Sequence, residues 1–145
     1  MTGGKGVKIK GSSWERGAVK LLNNLIRESN WRRIPSSGAI GTILSEPLLG
    51  GDITGTVKGF PRTFRGEAKI GYGGAKQFTL KKEWIDKIAR EAYNTYSLPF
   101  LIGRFSGARD GNAEFIVLDI MTFTDILNEI TKLYEELEKN GVGRD

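Results

Sequence analysis

The sequence predicts an α/β domain, a mixed five-stranded sheet flanked by helices. Three observations carry that expectation. Apolar residues recur at helical spacing in three stretches, near 12–29, 79–96 and 122–137. Between them lie five short runs of strand character, bounded by Gly, Pro, Asn and Asp. Their order, helix, three strands, helix, two strands, helix, is that of a sheet covered by helices rather than a bundle or a sandwich.

The first ten residues carry three glycines and three lysines with no apolar period, and are expected to form a flexible basic arm. Trp14, Ala18, Leu21, Leu22, Leu25 and Ile26 then mark the first helix. NWRRI (30–34) is a short strand stopped by Pro35. PSSGAIGTILSEPLLGG (35–51) is long for a connection and rich in Ser, Gly and Pro, which suits a functional loop. DITGTVKG (52–59) and TFRGEAKI (63–70) are strands joined by a turn at Phe60–Arg62. After the glycine-rich GYGGAKQF, Thr79 is placed as the N-cap of a helix with Leu80, Trp84, Ile88, Ala92 and Tyr96 along one stripe. PFLIGRF (99–105) and AEFIVLDI (113–120) flank a turn containing Asp110–Gly111. Thr122 opens the last helix, whose stripe of Phe123, Ile126, Leu127, Ile130, Leu133 and Leu137 is expected to be buried. The expected organisation is thus the arm (1–10), one domain (11–140) and a short tail (141–145).

Composition narrows the chemistry. The 145 residues suffice for a real core, and the apolar runs are too short to span a membrane. No secretion signal is visible, and the absence of cysteine suits a reducing cytoplasm, of a cell or of a virus-infected host. There is also no histidine, which removes imidazole acid–base catalysis, Ser–His triads and ordinary zinc sites. Carboxylates, lysine and a hard cation must carry any catalysis. Residues 1–113 hold 19 Lys/Arg and 9 Asp/Glu, a net +10, whereas 114–145 hold 3 and 8, a net −5. A basic body with an acidic C-terminal segment suits a polyanion bound away from that segment.

The strand FRGEAKIG carries the pattern of most interest. Residues two apart in a strand share a face, so Glu67 and Lys69 lie together while Ala68 faces the other way and leaves its carbonyl free as a ligand. Asp52 begins the preceding strand and approaches Glu67 if the two strands lie side by side. Carboxylates held close repel one another and need a cation. An oxygen-only site with water positions suits Mg²⁺, with Mn²⁺ as a substitute. A neighbouring lysine orients or deprotonates a water and offsets charge on a phosphorane-like transition state. The same residues also fit plain surface charges on strands. Glu15 adds a third carboxylate at the end of the first helix's apolar row. Ser12-Ser-Trp-Glu15 equally fits a capping box.

With these residues assembled, the chain resembles the archaeal-type Holliday-junction resolvases of the PD-(D/E)XK nuclease superfamily. The matching blocks are KGSSWER (10–16), RIPSSG (33–38), GGDITG (50–55) and GEAKIG (66–71), in the family's order, with KKEWIDKIAREA and LPFLIGRF continuing it to about 105. The resemblance implies a restriction-endonuclease-like fold. It implies Glu15, Asp52, Glu67 and Lys69 as the catalytic set, with Ser37 as a loop serine contacting the phosphate. Asp52, Glu67 and the Ala68 carbonyl would hold one Mg²⁺, and Glu15 would bind or position a second ion or its waters. The implied activity is hydrolysis of opposed strands of a four-way DNA junction by a homodimer, whose contact could come from the apolar face of the last helix or from exposed residues such as Trp84. Lys5, Lys8 and Lys10 of the arm, with Arg32 and Arg33, would grip DNA backbones, and Lys76, Lys81 and Lys82 would add contacts. A disordered solvated tail, a turn serine and a plain solvated helix start are the respective structural alternatives. Gly51 stands where the family has a proline, and Trp84 where many members have glutamine. Two other functions fit the same residues: a different DNA endonuclease of this superfamily, for repair, flap cutting or nicking, or a non-enzymatic nucleic-acid-binding domain.

Overall fold

The computed structural model describes residues 3–34, 52–71, 74–108 and 111–141. Its elements are α1 (Gly3–Leu25), β1 (Ser29–Arg33), β2 (Asp52–Val57), β3 (Thr63–Ile70), α2 (Lys82–Asn94), β4 (Ser97–Arg104), β5 (Glu114–Val117) and α3 (Ile120–Lys139). The five strands form one sheet in sequence order. β1–β2, β2–β3 and β4–β5 pair antiparallel, whereas β3–β4 is parallel and is linked through α2. The expected mixed sheet flanked by helices is therefore what forms, with β3 at its centre.

One face of the sheet is covered by α1. Trp14, Ala18 and Leu22 recur every four residues along the helix and pack with Trp31, Ile53, Ala68, Phe100 and Ile102. The Trp14 indole N–H donates to the Ile102 carbonyl at 3.3 Å, fixing the helix to β4. Asn23 acts as a clamp on the edge strand. Its amide donates to the Trp31 carbonyl at 2.9 Å and its carbonyl oxygen accepts from the Trp31 N–H at 2.8 Å. Both backbone groups of Trp31 are thereby satisfied at a position where no further strand pairs. α2 lies on the opposite face, burying Ile88 and Ala92.

Aromatic rings lie directly on strand glycines. A Cβ at Gly66 would overlap the Phe100 ring, and one at Gly55 the Trp31 ring. Trp31 in turn meets Phe100 edge-on, with ring centroids 5.6 Å apart. Gly66→Ala is expected to lower stability by about 1–3 kcal/mol, because the ring must leave its position in a packed core. Denaturant unfolding measures this; a change below about 0.5 kcal/mol would show that the core yields freely.

Several boundaries differ from expectation. The first helix starts at Gly3 rather than near 12, so the backbone of the expected arm continues α1. Ser12–Glu15 then sit inside a helix, where a capping box has no free N–H groups to satisfy. α2 is preceded by Lys81 with no side-chain cap, not by Thr79. Asp119, not Thr122, caps α3, its carboxylate accepting from the Thr122 N–H at 2.7 Å. The larger difference concerns the α3 stripe. Phe123, Leu127, Ile130 and Leu137 are 53%, 48%, 52% and 49% exposed. Ile126 and Leu133 are half-buried, and Thr122 is fully buried. Helical spacing reports that a face is apolar; it does not say what covers it. No helix among the described residues is long and apolar enough to cross a membrane.

Candidate active site

Glu67 is a carboxylate in the middle of the central strand, 2% exposed. A buried charge at such a position requires partners. Two ammonium groups supply them, both on the same oxygen. Lys69 Nζ lies 3.4 Å and Lys87 Nζ 3.2 Å from Glu67 Oε1. The other oxygen, Oε2, is buried and has no hydrogen-bond partner among the described residues. One side of this carboxylate is thus neutralised by lysine, while the second retains unused acceptor capacity.

The strand alternation accounts for the placement. Glu67 and Lys69 share the face that meets α2, whereas Ala68 joins the α1-facing core. Trp84 and Lys87 are three apart on α2 and so lie on one side of the helix. Trp84 presents its ring to the Lys69 ammonium at 4.7 Å, and Lys81 approaches the same ring at 5.6 Å. Lys69 is held between a carboxylate and an aromatic face while its side chain stays 29% exposed. Lys87 continues to Glu91 at 3.9 Å, and Glu91 to Arg65 at 3.6 Å. Charges therefore alternate along this face of β3 and α2.

β2 begins opposite this centre. The antiparallel register sets Asp52 directly across from Glu67 and Ile53 across from Gly66. Among the described residues Asp52–Glu67 is the last pair of the β2 ladder, and Ala68 and Lys69 pair with β4. Asp52 is therefore adjacent to Glu67 in register, as expected; its side chain lies outside the described part of the structure.

Glu15 is placed differently. It sits on α1, over the other sheet face, and its Oε1 lies 3.4 Å from Arg33 NH2. Arg33 is in register with Ile53, the neighbour of Asp52. Glu15 is thus brought near the start of β2 by way of Arg33. Among the described residues no three acidic side chains gather as a metal cluster. Ser37 lies outside the described residues. Lys5, Lys8 and Lys10 belong to α1 by their backbone, and their side chains are likewise outside them. Arg32, Lys76, Lys81 and Lys82 are exposed, with Lys82 paired to Asp86 at 2.9 Å.

Lys87 and the stacking role of Trp84 are the two features that the sequence alone does not single out. The available signal was the i,i+4 pair Lys87–Glu91 bordering the buried Ile88–Ala92 row, which reads equally well as a solvated helix flank.

The family model described as "Phage putative PDDEXK endonuclease" matches residues 6–140. No curated protein matches the chain. Among solved structures, the chain is similar to Hjc, a Holliday junction resolvase from the archaeal hyperthermophile Archaeoglobus fulgidus. That similarity is 12% in identity with a TM-score of 0.47, over 83% of this chain and 98% of that one. The family match runs from within α1 through the whole sheet and α2 to the end of α3: the chain belongs to the phage PDDEXK endonuclease family.

Proposed function

We propose that the chain is a structure-selective endodeoxyribonuclease that resolves four-way DNA junctions by paired, symmetric nicks, using Mg²⁺ or Mn²⁺ in its place. The observation that carries the nuclease chemistry is Glu67, a buried carboxylate with two lysines on one oxygen and, among the described residues, no partner on the other. An Oε2 without a partner among the described residues, and the facing position of Asp52, fit a hard cation. Asp52, Glu67 and the Ala68 carbonyl would hold it, with Glu15 positioning a second ion or its waters. Such an ion supplies a polarised phosphate oxygen and a water of lowered pKa.

The protein's own groups do the rest. Lys69, steered by Glu67 and Trp84, would orient the attacking water and donate to phosphate oxygens as negative charge accumulates. Lys87 acts through Glu67, since its ammonium fixes Oε1 and so the orientation of the carboxylate. Lys87→Met is therefore expected to lower kcat/KM by roughly 10–100-fold. Single-turnover cleavage measures it, and an unchanged rate would reduce Lys87 to a structural partner. Ser37, on the loop before β2, would contact the phosphate next to the cut.

DNA would lie along the exposed cations Arg32, Lys76, Lys81 and Lys82 and the basic start of α1, with a homodimer supplying two sites for two cuts. A groove of about 510 Å³ lined by Lys76, Phe78, Leu80, Phe105 and Phe115 adjoins Trp84 through Phe78. Binding is expected to weaken as salt rises, and Lys76→Ala and Lys81→Ala should each reduce the log–log salt slope by about 1. Fluorescence anisotropy across salt concentrations checks this; an unaltered slope would remove these lysines from the interface. The cytoplasm of the host cell is the setting this reading implies.

Metal dependence tests the proposal. Labelled branched DNA should be nicked with Mg²⁺ and left intact with a chelator. DNA bound but never cut, under any divalent cation, would leave a nucleic-acid-binding domain in place of a nuclease.

A further inference from the structure

The large apolar residues exposed on α3, Met121 apart, fall on one line. Ile120, Phe123, Leu127, Ile130, Tyr134 and Leu137 follow one another at intervals of three, four, three, four and three residues. That is a 3.5-residue period sustained over the helix, the narrow seam of a coiled coil rather than the broader stripe of a helix lying on a sheet. Every member is exposed, from 48% at Leu127 to 78% at Ile120. The helix meets its own domain on a different side, where Thr122 is buried and Asp125 lies 3.7 Å from Arg62. Among the described residues nothing of this chain covers the seam.

We propose that α3 is a self-association helix, and that its seam is closed by the same seam of a second copy of this chain. The residues beside the seam favour this occupant. In heptad terms Ile120, Leu127 and Tyr134 are a positions, and Phe123, Ile130 and Leu137 are d positions. The adjoining e and g sites then include Thr124, Ile126, Thr131 and Leu133, all uncharged. The Thr124 and Thr131 hydroxyls donate back to the Ile120 and Leu127 carbonyls at 2.8 and 3.1 Å. Those flanks can therefore be covered without stranding a donor. The acids Asp125, Glu129, Glu135 and Glu136 occupy b, c and f sites, away from the seam, and Glu138 alone of the acids within the helix stands beside it. Two copies can meet here with little like-charge repulsion. The same acids, within a segment of net −5, disfavour DNA as the occupant.

The inference supplies an interface for the two-site part of the proposed function, and it rests on that reading only for the use made of two copies. The full chain is studied without DNA or metal, so a failure here is separate from a failure of the nuclease reading. At tens of micromolar protein, light scattering or sedimentation should give twice the 16.0 kDa chain mass. Leu127→Lys with Ile130→Lys should weaken association by roughly 100-fold or more. The unfolding midpoint of the variant monomer should stay high, since both positions are exposed. Asn128→Lys with Glu136→Lys, on the outer side, should leave the dimer intact.

The absence of native cysteine allows a positive control. Leu127→Cys with Ile130→Cys should yield a covalent dimer on oxidation, and Asn128→Cys should not. A monomeric native chain at these concentrations overturns the proposal. So does a dimer that survives the paired lysine substitution and resists cross-linking at 127 and 130, which would locate the contact elsewhere.

Discussion

Glu67→Gln is expected to abolish DNA cutting, with a loss of roughly 10³-fold or more, the several kcal/mol that a correctly held cation contributes. Gln has nearly the size of Glu, so the strand, the Gly66–Phe100 contact and the α2 packing are retained. What changes is the charge and one oxygen. Under the proposed function the buried Oε2, free of hydrogen-bond partners among the described residues, would be a cation ligand, and an amide binds a hard cation far more weakly than a carboxylate. Lys69 and Lys87 also lose the anion that orients them. Their side chains are 29% and 23% exposed, so both ammonium groups reach water, and the fold should survive the substitution. Single-turnover cleavage alongside a thermal melt separates the two effects. Cutting within tenfold of the native rate, in a folded variant, would remove Glu67 from the chemistry.

Lys69→Met is expected to have the second largest effect, a loss of roughly 10²–10³-fold in kcat with little change in DNA affinity. Met preserves the aliphatic stem that packs beside Trp84 and deletes the ammonium. In the native site that ammonium lies 3.4 Å from Glu67 and 4.7 Å from the Trp84 ring, two attractions that narrow its rotamers without enclosing it. A cation confined in this way has little reorganisation left to do as phosphate charge develops. If Lys69 served only to neutralise Glu67, Lys87 would take over that task and the loss would stay within a few-fold. The comparison of Lys69→Met with Lys87→Met thus distinguishes a group that meets the reacting atoms from one that acts through Glu67. Equal losses would show that both merely balance charge.

The sheet was the most legible part of the sequence. β3 runs over the residues 63–70 expected for it, because its alternation, its bounding turns and its glycine at 66 agree with one another. The Glu67–Lys69 pairing follows from the same alternation. The facing position of Asp52 was contingent on strand pairing and is fixed by the observed register. The helices were less legible at their ends. Asp119 caps α3, and nothing in the residue types excluded Thr122, two residues into the same apolar run, from that role. At the other end of the chain, glycines at 3, 4, 6 and 11 weaken helix propensity, and α1 nonetheless extends through them.

Side-chain partners that depend on tertiary geometry were not readable. Lys87 reaches Glu67 because α2 crosses β3 at that point, and a lone lysine on a helix flank carries no trace of such a crossing. Glu15 is the converse case. Its spacing suggested an active-site acid or a cap, and the fold gives it Arg33 as a partner near the start of β2. The α3 stripe shows the same limit on a larger scale. Its period was visible, but exposure depends on where the helix departs from the domain, and among the described residues the seam remains open.

The central claim, that the Glu67–Lys69 site cuts branched DNA in two opposed strands, is tested most directly on an immobile four-way junction. Each strand is end-labelled in turn and incubated with the native chain and Mg²⁺, beside a Y-fork and a linear duplex. Paired nicks at symmetric positions across the junction are expected, with little cutting of the duplex and none of any substrate by Glu67→Gln. Equal cutting of junction and duplex would contradict junction resolution while leaving a nuclease. No cutting of any substrate, with either Mg²⁺ or Mn²⁺, would contradict the site itself.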